Sequence, residues 1–301
     1  MSSSRKRKLG AHVPTPPPAP TTGSSLGPDD RNVVTLTAGP AQVIIDLAAG
    51  ARIASWKVHG LELLEQCSAG NHPYGWGSYA MVPYAGRIRN GKLAFRGKTY
   101  DLPVTMGDHA IHGIGFDREW TLLSATNTMA IVGLRFGDPW PFAGTVTHLF
   151  QLSNDRLIQQ LSVSPAEDQP VTVGWHPWFR RQLAQGSALE LEVDMSRAKQ
   201  WQRDSSGIPT GKLVNSSPRP WDDCFHNVGD LALRWPGALT IEVTHDCPEL
   251  VIYDPDHAIC IEPQSGPPNS ANLTPDQALV PAGSALEHTV QWRWTMASQA
   301  N

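Results

Sequence analysis

"TVTHLFQLSNDRLIQQLSV", residues 145–163, is the stretch whose reading decides the fold. Val146, His148, Phe150 and Leu152 recur with period two, and so do Leu157, Gln159, Leu161 and Val163. Period two places each set on one face of an extended chain, whereas a helix would scatter it. Ser153, Asn154 and Asp155 between the two sets supply turn chemistry, so the stretch predicts an antiparallel β-hairpin. "KLAFRGKTYDL", residues 92–102, repeats the pattern with Gly97 at a tight turn. Further strands are predicted over Val43–Asp46, Ile53–Val58, Ala130–Phe136, Ala188–Val193, Leu239–Thr244, Leu250–Tyr253, Ile259–Ile261 and Leu286–Trp294. No long amphipathic stripe marks a helix of ordinary length. The best short helical start is Thr274-Pro275-Asp276, which reads as N-cap, first-position proline and first-turn acid. The 26 glycines and 26 prolines of the 301-residue chain fit many turns, and no 20–50-residue repeat suggests a propeller or solenoid. The expectation is one large all-β domain, a sandwich of antiparallel sheets, over residues 32–297.

Residues 1–31 are Ser-, Pro- and Gly-rich with almost no large apolar side chains, and are expected to form a disordered N-terminal tail. Arg5-Lys6-Arg7-Lys8 within it reads as a solvated basic run, with a localisation signal or a polyanion tether as alternatives. No apolar stretch follows it, so it is not a secretory signal. A formal net charge of −4 argues against nucleic-acid partners, which require a basic face. No run of ~18 apolar residues is available to span a membrane. Cys67, Cys224, Cys247 and Cys260 form no CxxC pair and read as reduced thiols of a cytoplasmic protein.

Four polar clusters interrupt the strand pattern. In "GRIRNG", residues 86–91, Arg87 or Arg89 is a planar donor for an acceptor-rich ligand if it faces inward, and an exposed strand-entry residue otherwise. In "GDHAIHGIGF", residues 107–116, the three-residue spacing of His109 and His112 suits a metal only on a helix, which Gly113 and Gly115 oppose. Those glycines instead suggest backbone passing close to another group. In "VGWHPWFR", residues 173–180, His176 is either a core histidine hydrogen-bonded to backbone or an imidazole tuned by burial to give up a proton. The rings of Trp175 and Trp178 suit the C–H faces and hydroxyls of a sugar. In "AICIEPQSGPPNSANL", residues 258–273, Glu262 ends an apolar run ahead of Pro263, as a salt-bridged carboxylate or a working base. Asp222 and Asp223 in "WDDCF" form a weaker, loop-like cluster. P-loop, dinucleotide-glycine and HExxH motifs are absent.

Taken in order, "GRIRNGKLAFRGKTYDL", "HGIGFDREW", "WHPWFR", "WDDCF" and "IEPQSGPPNSANL" resemble the aldose 1-epimerase (galactose mutarotase) family. The resemblance spans residues from about 40 to 294 and implies a large galactose mutarotase-like antiparallel β-sandwich (a supersandwich) with an open sugar cleft. It implies that Glu262 is the general base and His176 the general acid. By the same resemblance His112, Arg87 and Asp222 bind the sugar. The sequence departs from the family pattern at Gly86, where many members have asparagine, and at Ile114, which replaces the second glycine of a His-Gly-Gly. No clear equivalent is found for a glutamine that some members carry on the strand before the glutamate.

The implied activity is a cofactor- and metal-independent isomerisation of the α and β anomers of a free aldohexose. A carboxylate and an imidazole on opposite sides of the ring would open it and let it reclose on either face. Two alternatives remain at this level. One is a hexose-6-phosphate 1-epimerase, for which Arg89, Arg180 and Arg181 are the candidate phosphate cations. The other is a non-catalytic carbohydrate-binding protein on the same fold. A small sugar is the expected partner, without nucleic acid or membrane, in a monomer or homodimer.

Overall fold

A computed structural model describes residues 32–68 and 72–297. The expected tail, residues 1–31 with its basic run, lies outside the described residues. Two large antiparallel sheets dominate, one of eleven strands and one of eight. The deciding hairpin is realised as Gly144–Leu152 and Arg156–Pro165, paired from Gly144–Pro165 to Leu152–Leu157. Its two predicted faces hold: all eight period-two residues are buried, including the polar His148 and Gln159. It lies inside the eight-stranded sheet, beside Leu286–Met296. The small hairpin forms as Lys92–Phe95 and Lys98–Asp101, with Arg96 and Gly97 both at positive φ in its two-residue turn.

The sheets pack face to face through aromatic rings. Trp56 and Phe179 of the larger sheet meet Trp292 and Trp294 of the smaller, with centroids 5.4–6.4 Å apart. That contact closes the main core, which draws on nearly every strand of both sheets. The larger sheet is also covered on its other face near its centre, where Gly174–Arg180 and Ala258–Gln264 run side by side. Their burial is almost continuous, the pattern of strands buried on both faces.

Several local expectations are corrected. "WDDCF", read as loop-like, is the strand Asp222–His226, and "VGWHPWFR", absent from the predicted strands, is the strand Gly174–Arg180; both lack a clean polar–apolar alternation. In Gly174–Arg180 the cause is two-sided burial at the sheet centre, which erases the period-two signal. Glu262 does not end its strand, which continues through Pro263 to Gln264. The predicted helix is a single turn, Pro275–Ala278, whose Thr274 makes no side-chain cap bond, and a second turn, Ser270–Leu273, precedes it. No helix among the described residues is long and apolar enough to cross a membrane.

Candidate active site

Strand register builds the site as a row across the larger sheet. Tyr79 pairs with His176 on the neighbouring strand. The register that matches Gly174 with Gln264 and Trp178 with Cys260 sets His176 across from Glu262. Glu262 in turn pairs with Val251, and Val251 with Cys224. Side chains opposite one another in register share a face, so Tyr79, His176, Glu262, Val251 and Cys224 form one line. Trp178, two residues from His176, joins that face, while Trp175 points the other way into the main core. Trp175 Nε1 donates there to His148 Nε2 at 3.2 Å. Of the two tryptophans, Trp178 alone belongs to the cleft.

The prolines beside the pair have a geometric consequence. Strand pairing is registered at Gly174–Gln264 and resumes at Trp178–Cys260, and Pro177 and Pro263 fall in the interval between. Neither can donate to the ladder. The backbone tie is therefore weakest where His176 and Glu262 stand.

A cavity of about 280 Å³ opens over this row, near the lower end of the roughly 300–1,000 Å³ usual for small-molecule sites. Glu262, His176, His112, Arg87 and Asp222 all line it. His176 Nε2 lies 3.3 Å from Glu262 Oε1. Gln264 Nε2 donates to the other carboxylate oxygen, Oε2, at 3.1 Å. The His176 ring is held in a stack, with Tyr79 on one face at 4.9 Å and Trp178 on the other at 5.3 Å. The stack extends outward: the Arg52 guanidinium sits between Tyr79 and Trp76, 4.5 and 4.3 Å from their centroids. Arg52 is itself buried and donates to the carbonyls of Ala49, Pro73, Trp76 and Phe116.

His112 meets His176 edge to face, with centroids 4.9 Å apart. Its position depends on close backbone packing, as the adjacent glycines suggested. Its N–H donates to Gly86 C=O at 2.9 Å, and a Cβ on Gly113 would stand 1.9 Å from Val82 C=O. His109 does not join it: its Nδ1 accepts the Asn90 N–H and its Nε2 meets Ser206 C=O, a structural role. Arg87 Nη2 stands 4.0 Å from Asp222 Oδ2, and Arg203 holds that carboxylate from outside at 3.2 Å. Asp223 faces away, paired with Arg203 and Gln200.

Burial sets the electrostatics. It pushes the Glu262 carboxyl well above its usual range, aided by the Asp222 carboxylate, while the Gln264 donor and the Arg87 cation act in the opposite sense. It lowers His176 to about 3, with the Arg52 cation adding to the effect. His112 is likewise pushed down, by burial and then by His176 and Arg87. Burial thus disfavours the charged form of both partners, the carboxylate of Glu262 and the imidazolium of His176. Four buried polar atoms of cavity-lining residues have no protein partner: Nδ1 of His112, Nδ1 of His176, Nε1 of Trp178 and Oε1 of Gln264.

Sequence reasoning missed His72, Tyr74, Met106, Tyr253 and Gln264, which also line the cavity. A signal existed for Gln264, which shares the Glu262 face by period two in "IEPQ". Tyr74 and Met106 lie on loops whose approach no local pattern encodes.

This architecture is that of the galactose mutarotase-like all-β proteins. A galactose mutarotase-like protein from Clostridium acetobutylicum superposes with a TM-score of 0.77 at 18% identity, over 88% of this chain and 95% of its own. Galactose 1-epimerase from Lactobacillus acidophilus NCFM gives 0.72 at 19% identity, over 88% and 95%. The chain belongs to the aldose 1-epimerase family, whose model matches residues 32–296. Among sequence relatives, Escherichia coli K12 YihR is 24% identical over 293 residues, 83% of this chain and 89% of that protein. YphB of the same organism is 27% identical over 218 residues, 64% and 73%.

Proposed function

We propose that the protein is a mutarotase that interconverts the α and β anomers of a free aldohexose, with Glu262 as base and His176 as acid. The observation carrying this reading is the buried pair, with Nε2 and Oε1 3.3 Å apart at the wall of a sugar-sized cavity. The two oxygens that must lose and gain protons, O1 and O5, are both bonded to C1 and are therefore neighbours. A base and an acid side by side suit them, rather than groups on opposite sides of the ring.

The working form carries its proton on His176 rather than Glu262; the Gln264 donor and Arg87 favour that carboxylate, while burial and Asp222 oppose it. Glu262 then takes the O1 proton as His176 protonates O5. The C1–O5 bond breaks, leaving an aldehyde at C1 and a hydroxyl at C5. Rotation about C1–C2 presents the other face, and the same two transfers run backwards to close the ring. Each positioned acid or base typically contributes ~10²–10⁴-fold. Trp178 offers a flat apolar wall and an N–H donor, while His112, Arg87 and Asp222 take ring hydroxyls.

A phosphorylated sugar is less well served. Arg89 is taken up by Asp204, Arg180 by Glu65 and Arg181 by Asp254, and none of the three lines the cavity. A binding protein without chemistry would have no use for a buried acid–base pair that costs desolvation. Polarimetry of freshly dissolved α-anomers, across free and 6-phosphorylated aldoses, tests the reading. Accelerated decay of rotation with a free hexose is expected, and no acceleration with any sugar would refute it.

A further inference from the structure

Cys260 takes no part in the proposed reaction, yet it belongs to the same row of buried groups. It faces the cleft side two residues before Glu262, pairs with Trp178 across the strand and is fully buried. One ligand atom from each of His176, Cys260 and Glu262 lies within 4.8 Å of the other two. A tetrahedral cation with bonds of ~2.0–2.3 Å has ligand–ligand edges of about 3.3–3.8 Å. The Nε2–Oε1 distance of 3.3 Å already meets that requirement. Gln264 pins the far oxygen of Glu262 and leaves Oε1 turned toward the imidazole, the outer support that metal-binding carboxylates ordinarily have. His176 and Glu262 also line the cavity, so a fourth position opens toward it.

We propose that His176, Cys260 and Glu262 form a binding site for a thiophilic divalent cation of the Zn²⁺ type, and that its occupation shuts off the acid–base pair. Binding forms bonds to sulfur, oxygen and nitrogen as any protons those ligand atoms carry leave for solvent, so the cation is met by its ligands rather than buried as an isolated charge. The bound cation then occupies the carboxylate and imidazole lone pairs that must handle the O1 and O5 protons. The inhibitory half of this proposal rests on the mutarotase reading; the binding half does not.

Co²⁺ titration of the purified protein reports binding without reference to activity, because a thiolate ligand gives an intense near-ultraviolet charge-transfer band. The expected result is a saturable band that disappears in Cys260→Ala and persists in His288→Ala. The latter variant dismantles the other His/Cys/Asp group, formed by the exposed Asp246, the buried Cys247 and the half-buried His288. If Cys260→Ala does not fold, Glu262→Gln provides the second variant, and it should weaken the band's half-saturation at least tenfold. With a responsive free sugar, Zn²⁺ should inhibit wild type reversibly to EDTA. Cys260→Ala should retain the uninhibited rate within about twofold and lose at least tenfold in sensitivity. A band that survives Cys260→Ala, or no band in wild type, overturns the proposal. A protein that shows the band but accelerates no sugar keeps the metal site and loses the mutarotase reading.

Discussion

Replacing Glu262 by Gln separates chemistry from architecture at this site. The substitution keeps shape and volume. Its amide oxygen can still accept the Gln264 Nε2 donor, now at 3.1 Å, and its amide N–H can face Nε2 of His176 across the present 3.3 Å. What it removes is the ability to take a proton from O1. The expected loss in kcat is ~10²–10⁴-fold, or about 3–5 kcal/mol of barrier, with KM nearly unchanged. Stability should move in the opposite direction. The folded carboxyl titrates above its unfolded value, so between those two pH values the native state holds a proton that the unfolded chain has released. Wild-type stability therefore falls as pH rises through that window, and the Gln variant lacks that slope. Urea unfolding at pH 5 and pH 8, paired with polarimetry, measures both effects. A variant that is inactive because it unfolds, or one that retains more than a tenth of the wild-type rate, refutes the assignment of Glu262 as base.

His148, buried and lowered to about 3 chiefly by desolvation, must stay neutral in the fold. Its contribution is complete above the unfolded value near 6.5 and is lost as pH falls, about 2 kcal/mol by pH 5; His148→Gln should flatten that part of the urea-midpoint profile. Arg52→Met leaves the carbonyls of Ala49, Pro73, Trp76 and Phe116 without their donor, at a cost of at least ~3 kcal/mol. It should also raise the His176 ionisation seen by NMR, because the Arg52 cation is one of the groups holding it down. At Gly86 a Cβ would lie 2.8 Å from Pro268 Cγ, and the backbone is at φ +64°. Asn tolerates that conformation but must displace a residue lining the cavity, so Gly86→Asn should raise KM several-fold with kcat retained in the same polarimetric assay.

Legibility of the fold followed burial on one side. The hairpin through Val146 and Leu161 has one face in the core and one toward solvent, so its period-two pattern was plain. Gly174–Arg180 is covered on both faces at the centre of the larger sheet, and its residues alternate only in which interior they face. Trp175 and Trp178 are both large and apolar, and nothing in composition distinguishes core from cleft; strand parity does, once the strand is recognised. The five residues assigned to the cleft from the family resemblance do converge on one cavity. Arg52 was not legible, because its importance lies in carbonyls contributed by residues 49, 73, 76 and 116. Long-range backbone convergence of that kind leaves no local mark.

The pair stands on adjacent strands in a fixed register, and that has a consequence for how this protein can change over time. Every cleft-facing group on these strands is separated from the next by one residue committed to the opposite layer: Trp175 and Pro177 flank His176, and Ile261 and Pro263 flank Glu262. Point replacement can therefore tune a single wall of the cleft while leaving the core alone. Gain or loss of one codon cannot. A single inserted residue ahead of His176 would turn its ring into the layer occupied by Phe179 and Trp292 and present an indole in its place. In these two strands diversification should be confined to substitutions, and length variation should collect in the loops that carry His72, Met106 and Pro268.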